Sequence, residues 1–260
     1  MHFFSTAAAL RNPKENAILV LSKGEGGKDA MRYREAREAE LIRRLNRFAA
    51  LVLFEGREET VHVKNTGRLG ELLYPGSRVY LTPAAGEGRR TRFDLIAACD
   101  REGKLYNVDS LAPNRAMKEY LEKQGYDRVI PEYRYGGSRL DFYMTKNREE
   151  HLTEVKGCTL IREGEGVFPD APTARGTKHL LELAEAKKAG YRASVSFVIQ
   201  TEGVFSVRPN SETDPSFAGA WQKASEAGVE FFFYPTRVTP EELTVLPPRK
   251  GSGRENEESL

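Results

Sequence analysis

The sequence is poor in the residues that build covalent staples and soft metal centres. It has two cysteines, Cys99 and Cys158, and four histidines in 260 residues. The cysteines fit no disulfide framework and no zinc-ligand spacing, which argues against a stapled secreted scaffold and points to a reducing cytoplasm. Net charge is nearly absent as well. Forty basic residues against 38 acidic ones leave +2, so only local clustering of charge can mark a nucleic-acid binder. Long apolar runs are missing. The run Ala17–Leu21 near the N-terminus is far too short to cross a bilayer, and no basic leader precedes an apolar core. Neither a membrane partner nor an export signal is expected.

What is present suffices for real cores: 39% hydrophobic and 10% aromatic residues, in a length that suits one large domain or two modest ones. Residues 1–30 show no sustained period, end in "KGEGG", and read as an N-terminal extension. Asp29–Asn46, rich in Arg, Glu and Ala, reads as a helix. Then come "RFAALVLF", "ETVHVKN", "SRVYLTP", "TRFDLIAAC" and "KLYNVD", short β-like runs separated by turn residues. Such a small, highly curved sheet predicts an OB-like β-barrel over 31–108.

The texture changes near Asp109. "APNRAMKEYLEKQGY" reads as a helix stopped at Gly125, and two alternating runs around Asp141 and Glu154 read as a hairpin. After a loop with Gly164, Gly166 and Pro169 comes a helix, "TARGTKHLLELAEAKKAGY", with Thr173 as its cap and Gly190 at its end. The strand "ASVSFVIQ", the helix "DPSFAGAWQKASEAGVE" and the apolar "FFFY" complete an α/β domain over 109–246, with Trp221 and "FFFY" in its core. The segment 247–260, "PPRKGSGRENEESL", reads as a flexible tail.

The hairpin carries the sharpest chemistry. Side chains alternate along a strand, so Glu154 and Lys156 share a face while Val155 points to the other. With Asp141 opposite, two carboxylates can hold a hard cation such as Mg²⁺, or Mn²⁺ in its place. Such an ion keeps waters and accepts phosphate oxygens. A lysine beside it orients the attacking water and stabilises charge on the phosphate. The same spacing also fits the solvated charged edge of an ordinary hairpin.

Basic residues gather in two further places. On "RGTKHLLEL" a helical wheel sets Arg175 and Lys178 on the face away from Leu180, Leu183 and Ala184, with His179 at the boundary. Near the helix N-terminus these groups suit phosphate contact, and equally a solvated face. In the first domain "RRLNRF", "NTGR" and "RRTRF" put Arg47, Arg68, Arg90 and Arg92 beside aromatic residues. That mixture suits a groove for DNA or RNA, or simply charged outward positions on a barrel.

The ordered series "NRF", "HVKNTGRLGELLYPG", "RRTRFDL", "VDSLAPNR", "PEYRYGGSRLDFYM", "TEVKGCTL", "FPDAPTARGTKHLLEL", "SFVIQ", "DPSF" and "AGVE" resembles the sugar fermentation stimulation protein A (SfsA) family over about Arg44 to Val229. The resemblance implies an OB-like domain followed by a PD-(D/E)xK nuclease-like α/β domain. It also implies DNA or RNA binding and Mg²⁺-dependent phosphodiester hydrolysis. A non-enzymatic DNA-binding regulator of sugar (maltose) utilisation genes is the other function the family suggests. Asp141, Glu154 and Lys156 match the catalytic core of that class. Glu119 matches its additional acidic residue, with Glu122 and Glu132 as alternative registers. Arg175, Lys178 and His179 match the segment after the core. "MRYREAREAELIRRLNRF" has the look of a family start at Met31, so residues 1–30 are expected to be an addition or a misassigned start.

Overall fold

Strand order in the first half of the chain closes on itself. The computed structural model describes residues 31–250 apart from Glu87. The extension expected over 1–30, and the tail beyond Lys250, lie outside the described residues. Strands β1 (Arg37–Asn46), β2 (Ala49–Phe54), β3 (Arg57–Val63), β4 (Arg78–Pro83) and β5 (Phe93–Cys99) form the barrel. β1 pairs antiparallel with β2 and β4, β2 with β3, and β4 with β5, and a parallel β3–β5 pairing completes the ring. This is the OB topology, in which closure removes the free strand edges. Leu41, Val52, Val61, Leu81 and Leu95 fill the interior.

The helix expected over Asp29–Asn46 is therefore corrected: its larger part is β1. Arg, Glu and Ala favour helix only weakly, and tertiary pairing overrides such a preference. Ala39 and Leu41 alternate into the barrel, and the strand gains ladders on both sides. Four of the five expected β runs become β2–β5. The fifth, β6 (Leu105–Asn107), pairs with β5 outside the ring. Residues ahead of β1 lie against the second domain. Tyr33 donates its amide to the Glu241 carbonyl (2.8 Å), and Met31 packs with Met117 and Leu243.

The second half contains α1 (Ala112–Glu122), β7 (Arg128–Tyr135), β8 (Ser138–Lys146), β9 (Glu149–Cys158), β10 (Ile161–Arg162) and β11 (Glu165–Phe168). There follow α2 (Ala174–Lys188), β12 (Arg192–Ile199), β13 (Val207–Pro209), α3 (Pro215–Glu226), β14 (Glu230–Tyr234), β15 (Thr236–Thr239), β16 (Glu242–Val245) and β17 (Arg249–Lys250). The main sheet runs β17-β14-β12-β9-β8-β7, with β9, β12 and β14 parallel. α2 and α3 cover one face through Leu180, Leu183 and Phe217, packed on Val195 and Phe197. α1 and the β15–β16 hairpin cover the other, where Met117 and Leu243 meet Phe142, Val155 and Val198. Trp221 stacks on Phe231 with centroids 4.1 Å apart, which places that aromatic run in the core.

Two details differ from the sequence reading. The loop expected around Gly164, Gly166 and Pro169 holds β11, which builds a small sheet with the preceding β10 and with β13. The segment after Pro247 is not all tail, because Arg249 and Lys250 pair with β14 and Lys250 Nζ lies 2.7 Å from Glu230. Polar contacts also tie the two domains together. Gln200, just after β12, donates through Nε2 to the carbonyls of Asn107 (3.1 Å) and Asp109 (3.2 Å). The Arg68 amide donates to Asp170 Oδ2 (3.1 Å). Among the described residues no helix is long and apolar enough to cross a membrane.

Candidate active site

The β8–β9 ladder stops where the charged residues begin. Its last pair is Phe142 with Thr153. Beyond it the Asp141 side chain takes over the role of backbone, with Oδ2 accepting the Val155 amide (2.7 Å). Asp141 Oδ1 accepts from Asn114 Nδ2 on α1 (2.7 Å), so both oxygens are fixed in place. Burial pushes the Asp141 carboxyl up to about 6, and the nearby Glu154 charge adds to that rise. The two hydrogen bonds and the Lys156 charge oppose it.

Glu154 points to the α2 side of the sheet and is buried, at 3% exposure. Its Oε1 accepts from Lys156 Nζ (2.5 Å) and from His179 Nδ1. Burial alone would raise its pKa, but the His179 hydrogen bond and the Lys156 charge outweigh that and hold it below the usual range. Glu154 Oε2 is buried with no hydrogen-bond partner. A desolvated carboxylate oxygen left bare is costly, and that cost is relieved when a cation or donor fills the space.

His179 was read as a boundary residue that contacts nucleic acid, and the structure corrects this. It is 2% exposed, beneath α2, and it holds Glu154. Its Nε2 lies 3.4 Å from Arg175 Nε. A guanidinium only donates, so Nε2 accepts and Nδ1 carries the proton given to Glu154. The imidazole is thereby oriented between α2 and Glu154. Thr173 Oγ1 caps α2 by accepting the Gly176 amide (3.1 Å), as the sequence suggests, and this fixes the helix that brings His179 to Glu154.

Glu119 does not join this group, which corrects its assignment as a further ligand. Its carboxylate accepts from the Met31 backbone and feels Glu242 and Lys123. It lies five residues from Asn114, which turns it about 140° around the helix, away from Asp141. Asn114 is the residue on α1 that sequence reasoning missed. Its only signal was the "PNR" at the helix start.

Among the described residues no three His, Cys, Asp or Glu side chains form a closed metal-binding group. What Asp141 and Glu154 offer is narrower: two carboxylates close enough that the Glu154 charge raises the proton affinity of Asp141, one with a bare oxygen. That donor set suits Mg²⁺, which takes one or two carboxylates and keeps its other positions for water and phosphate. It does not suit zinc, which prefers nitrogen and sulfur.

The basic residues separate into two groups. Arg47 and Phe48 are exposed at the β1–β2 turn, and Ala49, next in line, pairs with His62 on β3. His62 Nδ1 lies 3.3 Å from Arg89 Nη2, and Arg92 Nη1 lies 3.7 Å from Glu59. The β1–β2 turn and the β4–β5 loop bearing exposed Arg90 and Arg92 thus flank the β2–β3 face. Arg68 is exposed at the domain seam. Arg44 is committed to structure: its guanidinium donates to the carbonyls of Asn46, Arg47, Asn65, Gly67 and Arg68, knitting the turn to the "NTGR" loop. On α2, Arg175 and Lys178 stay exposed, and Lys178 Nζ donates to the Gly137 carbonyl (3.0 Å).

Comparison with known proteins matches both halves. A model described as "SfsA N-terminal OB domain" matches residues 42–108, and one described as "Sugar fermentation stimulation protein RE domain" matches residues 111–242. A "Sugar fermentation stimulation protein homolog" of Desulfitobacterium hafniense is 42% identical over 217 residues, covering 82% of this chain and 94% of its own. One from Clostridium botulinum is 45% identical over 208 residues, covering 77% and 90%. A solved structure described as Pyrococcus furiosus SfsA in complex with Ca²⁺ superposes with a TM-score of 0.75. It is 30% identical, covering 85% of this chain and 97% of that one.

Proposed function

The chain belongs to the sugar fermentation stimulation protein (SfsA) family, and we propose that it is a Mg²⁺-dependent nuclease, with its barrel holding DNA or RNA and its α/β domain, of the PD-(D/E)xK kind, cutting it. One observation carries this reading. A buried carboxylate oxygen, Glu154 Oε2, has no partner, on a carboxylate whose other oxygen Lys156 holds and whose charge Asp141 feels. A structural hairpin edge gains nothing from such an arrangement. The description of the Pyrococcus furiosus relative as a Ca²⁺ complex supports a hard-cation site in the family.

In this reading Asp141 and Glu154 hold the ion, which supplies positive charge to the phosphate and a more acidic water. Asn114 and the Val155 amide keep the Asp141 carboxylate aimed, and His179 does the same for Glu154. Lys156 Nζ, beside Glu154, holds the attacking water and meets the charge that grows on the phosphate oxygens. Water adds to phosphorus, the bond from phosphorus to one ribose oxygen breaks, and that oxygen leaves with a proton. The β2–β3 face with Arg47, Arg90 and Arg92, and Arg68 at the seam, retain the strand by its phosphates.

Incubating the purified protein with labelled single- and double-stranded DNA and RNA, with Mg²⁺ or with EDTA, tests the proposal. Wild type is expected to cut only with metal, while Glu154→Ala and Lys156→Ala bind without cutting. Binding by all three with cutting by none would leave a non-enzymatic, regulatory DNA-binding role instead.

A further inference from the structure

The two most exposed large apolar side chains among the described residues are Phe48, at 54%, and Leu111, at 53%. They border the same short segment, Lys64–Gly67. On one flank the Phe48 carbonyl accepts the Val63 amide (2.8 Å), and Arg44 joins the Arg47 carbonyl to that of Asn65. On the other flank Ser110 Oγ donates to the Lys64 carbonyl, and Leu111 follows Ser110. Leu111 also opens α1, which carries Asn114 to Asp141.

Behind this segment a cleft of about 260 Å³ lies between the domains. Asn65 and Thr66 line its barrel side, and Ser110, Gly157, Thr159, Phe168 and Gln200 line the other. Gly157 directly follows Lys156. A Cβ at Gly157 would sit 2.3 Å from Gln200 Oε1 and 2.8 Å from Pro113 Cγ, so this wall is kept close-fitting by the missing side chain. Asp170, also on the cleft, has its charge answered by the Arg68 amide. An exposed aromatic ring, a basic turn and a small polar cleft thus follow one another from barrel to carboxylates.

That order favours one class of ligand. The cleft is below the usual 300–1,000 Å³ range of small-molecule pockets, which suits one base or sugar and not a base pair. Exposed rings bind bases that are free to unstack, whereas a duplex offers a protein mainly its phosphates. We infer that the substrate is a single-stranded nucleic acid, with a base stacked on Phe48 and one nucleotide seated in the interdomain cleft against Gly157, one residue along β9 from Lys156. The inference rests on the nuclease reading for its purpose, but not for its test.

The test is fluorescence anisotropy of the full-length protein in EDTA, with a labelled oligothymidylate of roughly 12 nucleotides and a duplex of equal length. The single strand is expected to bind at least about tenfold tighter than the duplex. Phe48→Ala is expected to lose about tenfold, as removing one stacked base does. Phe48→Trp should retain binding and show quenched fluorescence on adding strand, since Trp221 is in the core. Thr66→Trp, which fills the cleft mouth, should weaken the single strand and leave the duplex unchanged. Equal or tighter duplex binding, unchanged affinity in both Phe48→Ala and Thr66→Trp, or no binding at all would overturn the inference. Single-strand preference with no cutting in Mg²⁺ would leave the inference standing and remove the nuclease reading. Mg²⁺-dependent cutting without that preference would do the reverse.

Discussion

His179 Nδ1 donates its proton to Glu154 Oε1, and the other oxygen of the same carboxylate stays buried and bare. The histidine therefore acts as a positioning residue, fixing which edge of Glu154 is spent and which is offered. Partners of this kind, one shell out from a metal, typically change its affinity by 10–100-fold. Divalent-ion titration by calorimetry should show His179→Ala binding Mg²⁺ or Mn²⁺ at least about tenfold more weakly than wild type. His179→Gln, which retains a donor, should recover part of that loss. Equal affinity in all three would remove His179 from this role.

The Asp141 carboxyl provides a pH signature. It is raised from 3.8 to about 6, so between those values the native state keeps a proton that the unfolded chain releases. Stability of the metal-free protein from this group is full below about pH 4 and is lost as pH rises through about 6. The total loss is roughly 2–3 kcal/mol. Thermal melts across pH should show this falling limb in wild type and a flatter one in Asp141→Asn. Because a cation competes with that proton, Mg²⁺ should raise wild-type Tm more above pH 6 than at about pH 5. Superimposable profiles would contradict the assignment.

Much of this was visible in the sequence, and the failures have physical reasons. Alternation around Asp141 and Glu154 located the hairpin because a period of two survives any packing. The helix read over Asp29–Asn46 failed because Arg, Glu and Ala reveal little about pairing partners distant in sequence. Only Ala39 and Leu41 mark the buried face. His179 looked half exposed on a wheel because its reason for burial, Glu154, lies 25 residues away. Glu119 was chosen by residue type, whereas its rotation on α1 favours Asn114. Arg44 resembled its basic neighbours, and only the fold shows it bound to carbonyls.

The domain seam depends on a glycine. A Cβ at Gly67 would fall 2.2 Å from Asp170 Oδ2 and 2.9 Å from Asn65 Oδ1. Gly67→Ala should push the loop off Asp170, lose the Arg68 amide bond, and cost about 1–3 kcal/mol in a denaturant melt. Gly70→Ala is the control, since nothing lies within 4 Å of its Cβ position. Equal stability of both variants would show that the seam yields freely.

Strand binding should carry a salt dependence set by the exposed arginines. Each phosphate contact removed should lower the slope of log affinity against log salt by about 0.7 for a single strand. Arg47→Ala and Arg92→Ala should each reduce it, measured by anisotropy in EDTA. Arg44→Lys should instead lower Tm, because its guanidinium bonds to carbonyls and not to phosphate. A full wild-type slope in the double variant Arg47→Ala/Arg92→Ala would place the strand elsewhere.

The central claim is that Asp141 and Glu154 share one hard cation beside Lys156. Its most direct test is an anomalous difference map from crystals soaked in Mn²⁺. A single peak is predicted within about 2.5 Å of Glu154 Oε2 and of an Asp141 carboxylate oxygen, and absent in Glu154→Ala crystals. A map with no peak there, or with the ion bound only elsewhere, would contradict the account.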